Sequence, residues 1–141
     1  IDIIEQQLLI AGGLGLNIQQ KDVEVKGHAI ECRINAEDPT TFLPSPGKIA
    51  HFYAPGGAGI RLDSHIYDGY SIPLYYDSMI AKLIVHGKNR EEAINKMIRA
   101  LDEFVIDGIE DNIDFQIDIL NNKNFRLGNY DTSFISKEYK L

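Results

Sequence analysis

Ala29-Ile30-Glu31-Cys32-Arg33-Ile34-Asn35 alternates residue by residue. Ile30, Cys32 and Ile34 point one way; Glu31, Arg33 and Asn35 point the other. A repeat of two is that of a β-strand, and apolar residues on one side only mean a strand covered on one face. The wet face carries a carboxylate, a guanidinium and an amide in a row. Glu37-Asp38-Pro39 breaks the strand, and the stretch from Pro44 to Gly47 reads as a loop.

Downstream, Lys48 to Tyr53 reads as a short strand. Pro55-Gly56-Gly57-Ala58-Gly59 is a turn rich in positions that tolerate positive φ. Alternation resumes from Gly59 to Ile66, with Ile60, Leu62 and Ser64 toward the core and Arg61, Asp63 and His65 outward. Asp68-Gly69 is a hairpin-type turn signal. Met79 to His86 is apolar on both faces apart from Lys82, the pattern of a central strand.

Asn89, with Glu92 three residues later, opens the clearest helix. Ala93, Ile94, Met97, Ile98, Leu101 and Val105 then recur at helical spacing, and Glu92 and Lys96 form an i,i+4 pair on the wet side. Phe104 to Ile106, with Ile109 beyond Gly108, reads as one more short strand. A second helix is expected from Asn112 to Asn121, with Ile113, Ile117 and Leu120 on one face, and a last helical turn or two within Asp131 to Leu141. Upstream, Asp2 caps a helix over Ile3 to Ala11 with Ile4, Leu8 and Ala11 on one face. Gly12-Gly13 ends that helix, and a polar connector runs from Asn17 to Lys26. Strands and helices are segregated and the turns are tight. This predicts an α+β fold with an antiparallel β-sheet core flanked by helices.

Composition narrows the function. The net charge of -7 argues against nucleic acid as a partner, because such a surface would be basic. No apolar run approaches the roughly 20 residues of a membrane span, and no signal-peptide pattern opens the chain. Cys32 is the single cysteine, so no intrachain disulfide can form; a lone thiol on an apolar strand face suits a reducing compartment, and the cytoplasm is the default expectation. Ile1 begins the chain inside an apolar, helix-like run, which leads us to expect a domain cut from a longer chain.

Few residues suggest chemistry on their own. Gly56-Gly57-Ala58-Gly59 lacks the spacing and the lysine of a phosphate-binding loop and reads as a plain turn. His28, His51, His65 and His86 include no i,i+4 pair, so no metal site is expected. Glu37-Asp38 and Glu110-Asp111 look like turn and helix-cap residues. Arg33 is the residue of interest. An arginine facing a pocket offers a permanently charged fork to a developing oxyanion. Alternation by itself favours a plainer role, an ion pair with Glu31 or a cross-strand acid.

Longer blocks change that balance. Gly27-His28-Ala29-Ile30-Glu31-Cys32-Arg33-Ile34-Asn35-Ala36-Glu37-Asp38-Pro39 resembles a signature of biotin carboxylases. So do Phe42 to Ile49, Ala54-Pro55-Gly56-Gly57, Tyr75-Tyr76-Asp77-Ser78-Met79-Ile80-Ala81-Lys82-Leu83-Ile84, and Ile106-Asp107-Gly108-Ile109 followed by Asn112. The blocks keep the family's order and spacing over essentially the whole chain. The resemblance implies that residues 1–141 are the C-terminal domain of an ATP-grasp ligase. Such an enzyme uses ATP, Mg2+ or Mn2+ and bicarbonate to make carboxyphosphate, then carboxylates N1 of biotin held on a carrier protein.

The family's nucleotide and metal sites lie upstream of Ile1, so the chain alone is expected to bind no cofactor and to catalyse nothing. The implied partners are the ATP-grasp part of the parent chain, a biotin carboxyl carrier protein or domain, and a carboxyltransferase, with acetyl-CoA carboxylase and fatty acid biosynthesis as one setting. Arg33 matches the arginine implied to contact the ureido oxygen of biotin. Asp77 matches an acid that could orient Arg33. Arg61 matches a dimer-contact arginine of bacterial members; some of those carry an aromatic where Ala58 stands, so only a weak homodimer is expected. Two other readings stand beside this one. The first is the C-terminal domain of a different ATP-grasp ligase, against which Glu31-Cys32-Arg33-Ile34-Asn35 argues. The second is a non-catalytic binding or scaffold module.

Overall fold

The computed structural model describes residues 1–139 and has the expected α+β architecture. Its centre is a three-stranded antiparallel sheet in the order β1 (His28–Asn35), β6 (Met79–Gly87), β4 (Ile60–Ser64). The stretch expected to be central is β6. Cross-strand rows Ile30/Val85/Ile60 and Cys32/Leu83/Leu62 place the apolar residues of all three strands on one face. Helix α2 (Arg90–Glu103) packs over β6 and β1 and buries Ala93, Ile94, Met97, Ala100 and Leu101. Each large aliphatic side chain removed from water there contributes roughly 1.5–3 kcal/mol. The expected cap is present: Asn89 Oδ1 accepts from Glu92 N at 2.9 Å. Val105, counted in the helical repeat, lies instead in strand β7 (Val105–Asp107), because α2 stops at Glu103.

The strand expected over Lys48 to Tyr53 is divided. β2 (Gly47–Lys48) pairs with β5 (Ser71–Ile72), and β3 (His51–Tyr53) pairs with β7. Ile49, fully buried between them, takes the chain from one two-stranded sheet to the other: its amide donates to Tyr70 O at 2.8 Å, whereas the Ala50 amide donates to Asp107 O at 2.7 Å. Gly108 makes the crossing possible. Its φ is +102°, and a Cβ there would lie 2.3 Å from Lys48 O. Asp68-Gly69 does form a turn, closed by Tyr70 N to Tyr67 O, but it joins no hairpin because β5 pairs with β2 and not with β4. Ser64 ends β4 exposed, its hydroxyl donating to Ile80 O.

At the ends of the chain, α1 (Ile3–Ala11) is capped by Asp2 as expected, yet its apolar face is not core: Ile4 and Leu8 are 65% and 69% exposed. Helix α3 (Ile113–Asn121) buries Ile113 and Leu120. It is followed by α4 (Lys123–Leu127), which the periodicity did not reveal, and by α5 (Phe134–Tyr139) within the expected tail. The last two residues of that tail lie outside the described residues.

Burial of Cys32 on the core face pushes its thiol from an ordinary 9.0 up to about 12, with Glu31 adding to the effect. The sign of the linkage follows. Between about pH 9 and pH 12 the unfolded chain has released this proton and the folded chain has not, so stability falls as pH rises through that window. Cys32 is expected to resist alkylation at pH 8 until denaturant is added. Urea melts from pH 8 to pH 11 should lose stability less steeply in Cys32→Ala. An equal slope in both proteins would show that this thiol does not drive the loss.

Candidate functional site

The second face of the central sheet is polar, and register decides what meets there. Arg33 on β1 lies opposite Lys82 on β6, which lies opposite Asp63 on β4. Two residues along, the row is Glu31, Ile84 and Arg61. A cation and an acid thus alternate along β1 and along β4, while Arg33 and Lys82 set two cations side by side across the face. Arg33 Nε sits 3.4 Å from Glu31 Oε1, a long contact, and the arginine side chain is 68% exposed. Arg61 Nε is tighter on Asp63 Oδ1 at 2.9 Å; this hydrogen bond holds the Asp63 carboxyl below its ordinary value. The ion pair that alternation favoured for Arg33 is therefore present. It engages only Nε, and among the described residues the two terminal nitrogens of Arg33 have no partner.

The structure does not bring Asp77 to Arg33. Asp77, exposed before β6, accepts from Met79 N at 2.7 Å and so starts the central strand. Other acids take local roles. Asp38 Oδ1 accepts from Thr40 N and Thr41 N, both at 2.8 Å, and Asp111 Oδ1 accepts from Ile113 N at 2.9 Å. Glu37 accepts from the Ser78 hydroxyl and from Asn35 Nδ2, tying the end of β1 to the entry of β6. Among the described residues no group of three or more His, Cys, Asp or Glu side chains is placed to hold a metal ion, and no helix is long and apolar enough to cross a membrane.

One residue at the site escaped the reading of its local sequence. Asn112 precedes α3 and would ordinarily be taken for its cap. Its side chain makes no cap bond; Asp111 bonds the first turn instead. The Asn112 amide is buried against β1, with Oδ1 accepting from Asn35 N at 3.0 Å and Nδ2 donating to Arg33 O at 3.2 Å. Gln116, one turn further along α3, also donates to Arg33 O, at 3.4 Å. Only the presence of Asn112 in the family-like block hinted at a role.

Residues 31–137, which include Arg33, Arg61, Asp77 and Asn112, match the family model for the biotin carboxylase C-terminal domain. The chain belongs to this family. Helix α1 precedes the matched stretch. The domain is 54% identical to biotin carboxylase of Haemophilus influenzae over 138 residues, covering 98% of this chain and 31% of that protein.

Among solved structures, the biotin carboxylase C-terminal domain described here is similar to Campylobacter jejuni biotin carboxylase in complex with β,γ-ATP. The TM-score is 0.93 and the identity 48%, over 98% of this chain and 31% of that one. It is also similar to the biotin carboxylase domain dimer of Hydrogenobacter thermophilus 2-oxoglutarate carboxylase, in complex with MgADP, ADP and bicarbonate. There the TM-score is 0.94 and the identity 43%, over 99% of this chain and 31% of that one. The chain therefore spans about a third of the length of these relatives.

Proposed function

We propose that this domain forms one wall of the biotin site in a full-length biotin carboxylase, an ATP-dependent ligase, and that Arg33 is its catalytic contribution. The supporting observation is the exposed Arg33 guanidinium, committed among the described residues at Nε alone and presented on the polar face of the central sheet within a family-matched segment. Removing the proton from the ureido nitrogen of biotin pushes negative charge onto the ureido oxygen. Arg33 stabilises that charge with a fixed, always-protonated donor pair. Lysine, a more localised charge able to lose its proton, would serve less well.

In this reading the carrier protein brings biotin, a carboxyltransferase uses the product, and the remainder of the parent, of ATP-grasp type, holds ATP and the divalent metal. Acetyl-CoA carboxylase acting in fatty acid biosynthesis in the cytoplasm is one setting for such an enzyme, and another biotin-dependent carboxylase is the alternative. Asp77 acts on Arg33 indirectly, through the entry of β6, since its carboxylate is engaged by the Met79 amide. Arg61 supports only weak self-association, because Ala58 adds little apolar area beside it.

The isolated chain, purified and given ATP, Mg2+, bicarbonate and free biotin, is expected to hydrolyse no ATP above background. Sedimentation of the same sample at micromolar concentration is expected to show mainly monomer. Turnover in this assay would mean that the nucleotide site lies within the chain, contrary to the proposal.

A further inference from the structure

We propose that Asn112, assisted by Gln116, is a positioning residue that sets the aim of Arg33; this rests on the biotin-contacting role proposed for Arg33. β1 is an edge strand whose pairing with β6 slips between Ile34 and Asn35: Ile34 faces Ala81, whereas Asn35 faces Met79. The ladder is thus irregular within two residues of Arg33, where a catalytic guanidinium most needs a fixed backbone. Asn112 lies on the strand's other edge. Its side-chain amide gives a donor to Arg33 O at 3.2 Å and an acceptor to Asn35 N at 3.0 Å, the pair of groups that a neighbouring strand's peptide would offer.

The amide is well placed to act as such a surrogate. Asn112 is 7% exposed, so its bonds do not compete with bulk water. It is fixed at the start of α3, which packs against α2 and hence against the core. Gln116 adds a second donor to the same Arg33 carbonyl. Among the described residues the Arg33 side chain itself is steadied only by the 3.4 Å contact to Glu31. Its direction is therefore inherited from the backbone that Asn112 clamps, and displacing a catalytic group by about 1 Å can cost up to roughly 10²-fold in rate.

The test uses the full-length parent enzyme with Asn112→Ala, Gln116→Ala and Arg33→Ala. Three quantities are read: biotin-dependent kcat, biotin-independent ATP hydrolysis, and amide exchange of the peptide containing Asn35. Asn112→Ala is expected to lower biotin-dependent kcat roughly 10- to 100-fold, to leave biotin-independent hydrolysis within about two-fold, and to speed exchange at Asn35. Gln116→Ala removes one bond from a half-buried side chain, and its biotin-specific loss should be a few-fold.

Should Asn112→Ala fail to fold, Gln116→Ala carries the test alone. An unchanged biotin-dependent kcat in Asn112→Ala, or in Gln116→Ala where only that variant folds, overturns the proposal. So does an equal fall of both activities, which would mark a general structural role. Arg33→Ala separates the two claims. If it loses biotin turnover and the Asn112 variant does not, only the positioning role fails; if it loses nothing, the role assigned to Arg33 fails first.

Discussion

Arg33→Ala in the full-length parent is expected to slow biotin carboxylation by roughly 10²–10³, the cost of losing one oxyanion donor. Biotin-independent ATP hydrolysis should fall far less, because Arg33 is assigned to biotin and not to the phosphates. The fold should survive. Arg33 lies on the wet face, its backbone bonds are untouched, and its exposed pair with Glu31 is worth about 0–1 kcal/mol. Both rates are to be measured on the same preparation, with a thermal melt beside them. Equal loss of both activities without a change in melting would show that Arg33 does not act chiefly on biotin. A collapse in stability would return the arginine to the structural ion pair.

The opposite face of the same sheet carries the largest expected effect on stability. Leu83 is fully buried at the centre of β6, between Cys32 on β1 and Leu62 on β4. Leu83→Ala removes its transfer energy and leaves a cavity that three paired strands cannot readily close, at a cost of about 2–5 kcal/mol. Urea unfolding of the isolated domain should show a lower midpoint with an unchanged slope. Lys82→Ala, one residue away on the polar face, should move the midpoint by an amount worth about 0.5 kcal/mol or less. Comparable losses in the two variants would contradict the register that separates core from site.

The parts of the fold legible in sequence are those in which local pattern and tertiary burial agree. Ile30, Cys32 and Ile34 alternate because one face of β1 is covered, and Ala93, Ile94, Met97 and Leu101 repeat because one face of α2 lies on that sheet. Where burial comes from distant partners the pattern misled. Lys48 to Tyr53 looks like one strand, but its halves pair with residues more than 20 and more than 50 positions away, and nothing local marks the change at Ile49. Ile4 and Leu8 recur at helical spacing on a helix whose apolar face is open in this chain.

The site divides in the same way. Alternation correctly put Arg33 on the polar face and anticipated its pair with Glu31. It could not distinguish a resting ion pair from a catalytic donor, since both need the same residue in the same place. The case for a donor rests on resemblance over long blocks, and the family match shows only that the blocks belong to that family. Asn112 was hidden for another reason. An asparagine before a helix is most simply a cap, and only the folded chain shows its amide turned toward a strand nearly 80 residues earlier.

A crystal structure of the full-length parent with biotin, bicarbonate and ADP tests the central claim most directly. The account predicts a terminal nitrogen of Arg33 within hydrogen-bonding reach of the ureido oxygen, about 2.7–3.2 Å, with Asn112 still bridging Arg33 O and Asn35 N. A biotin ring seated away from this face, with Arg33 still engaged only by Glu31, would contradict it.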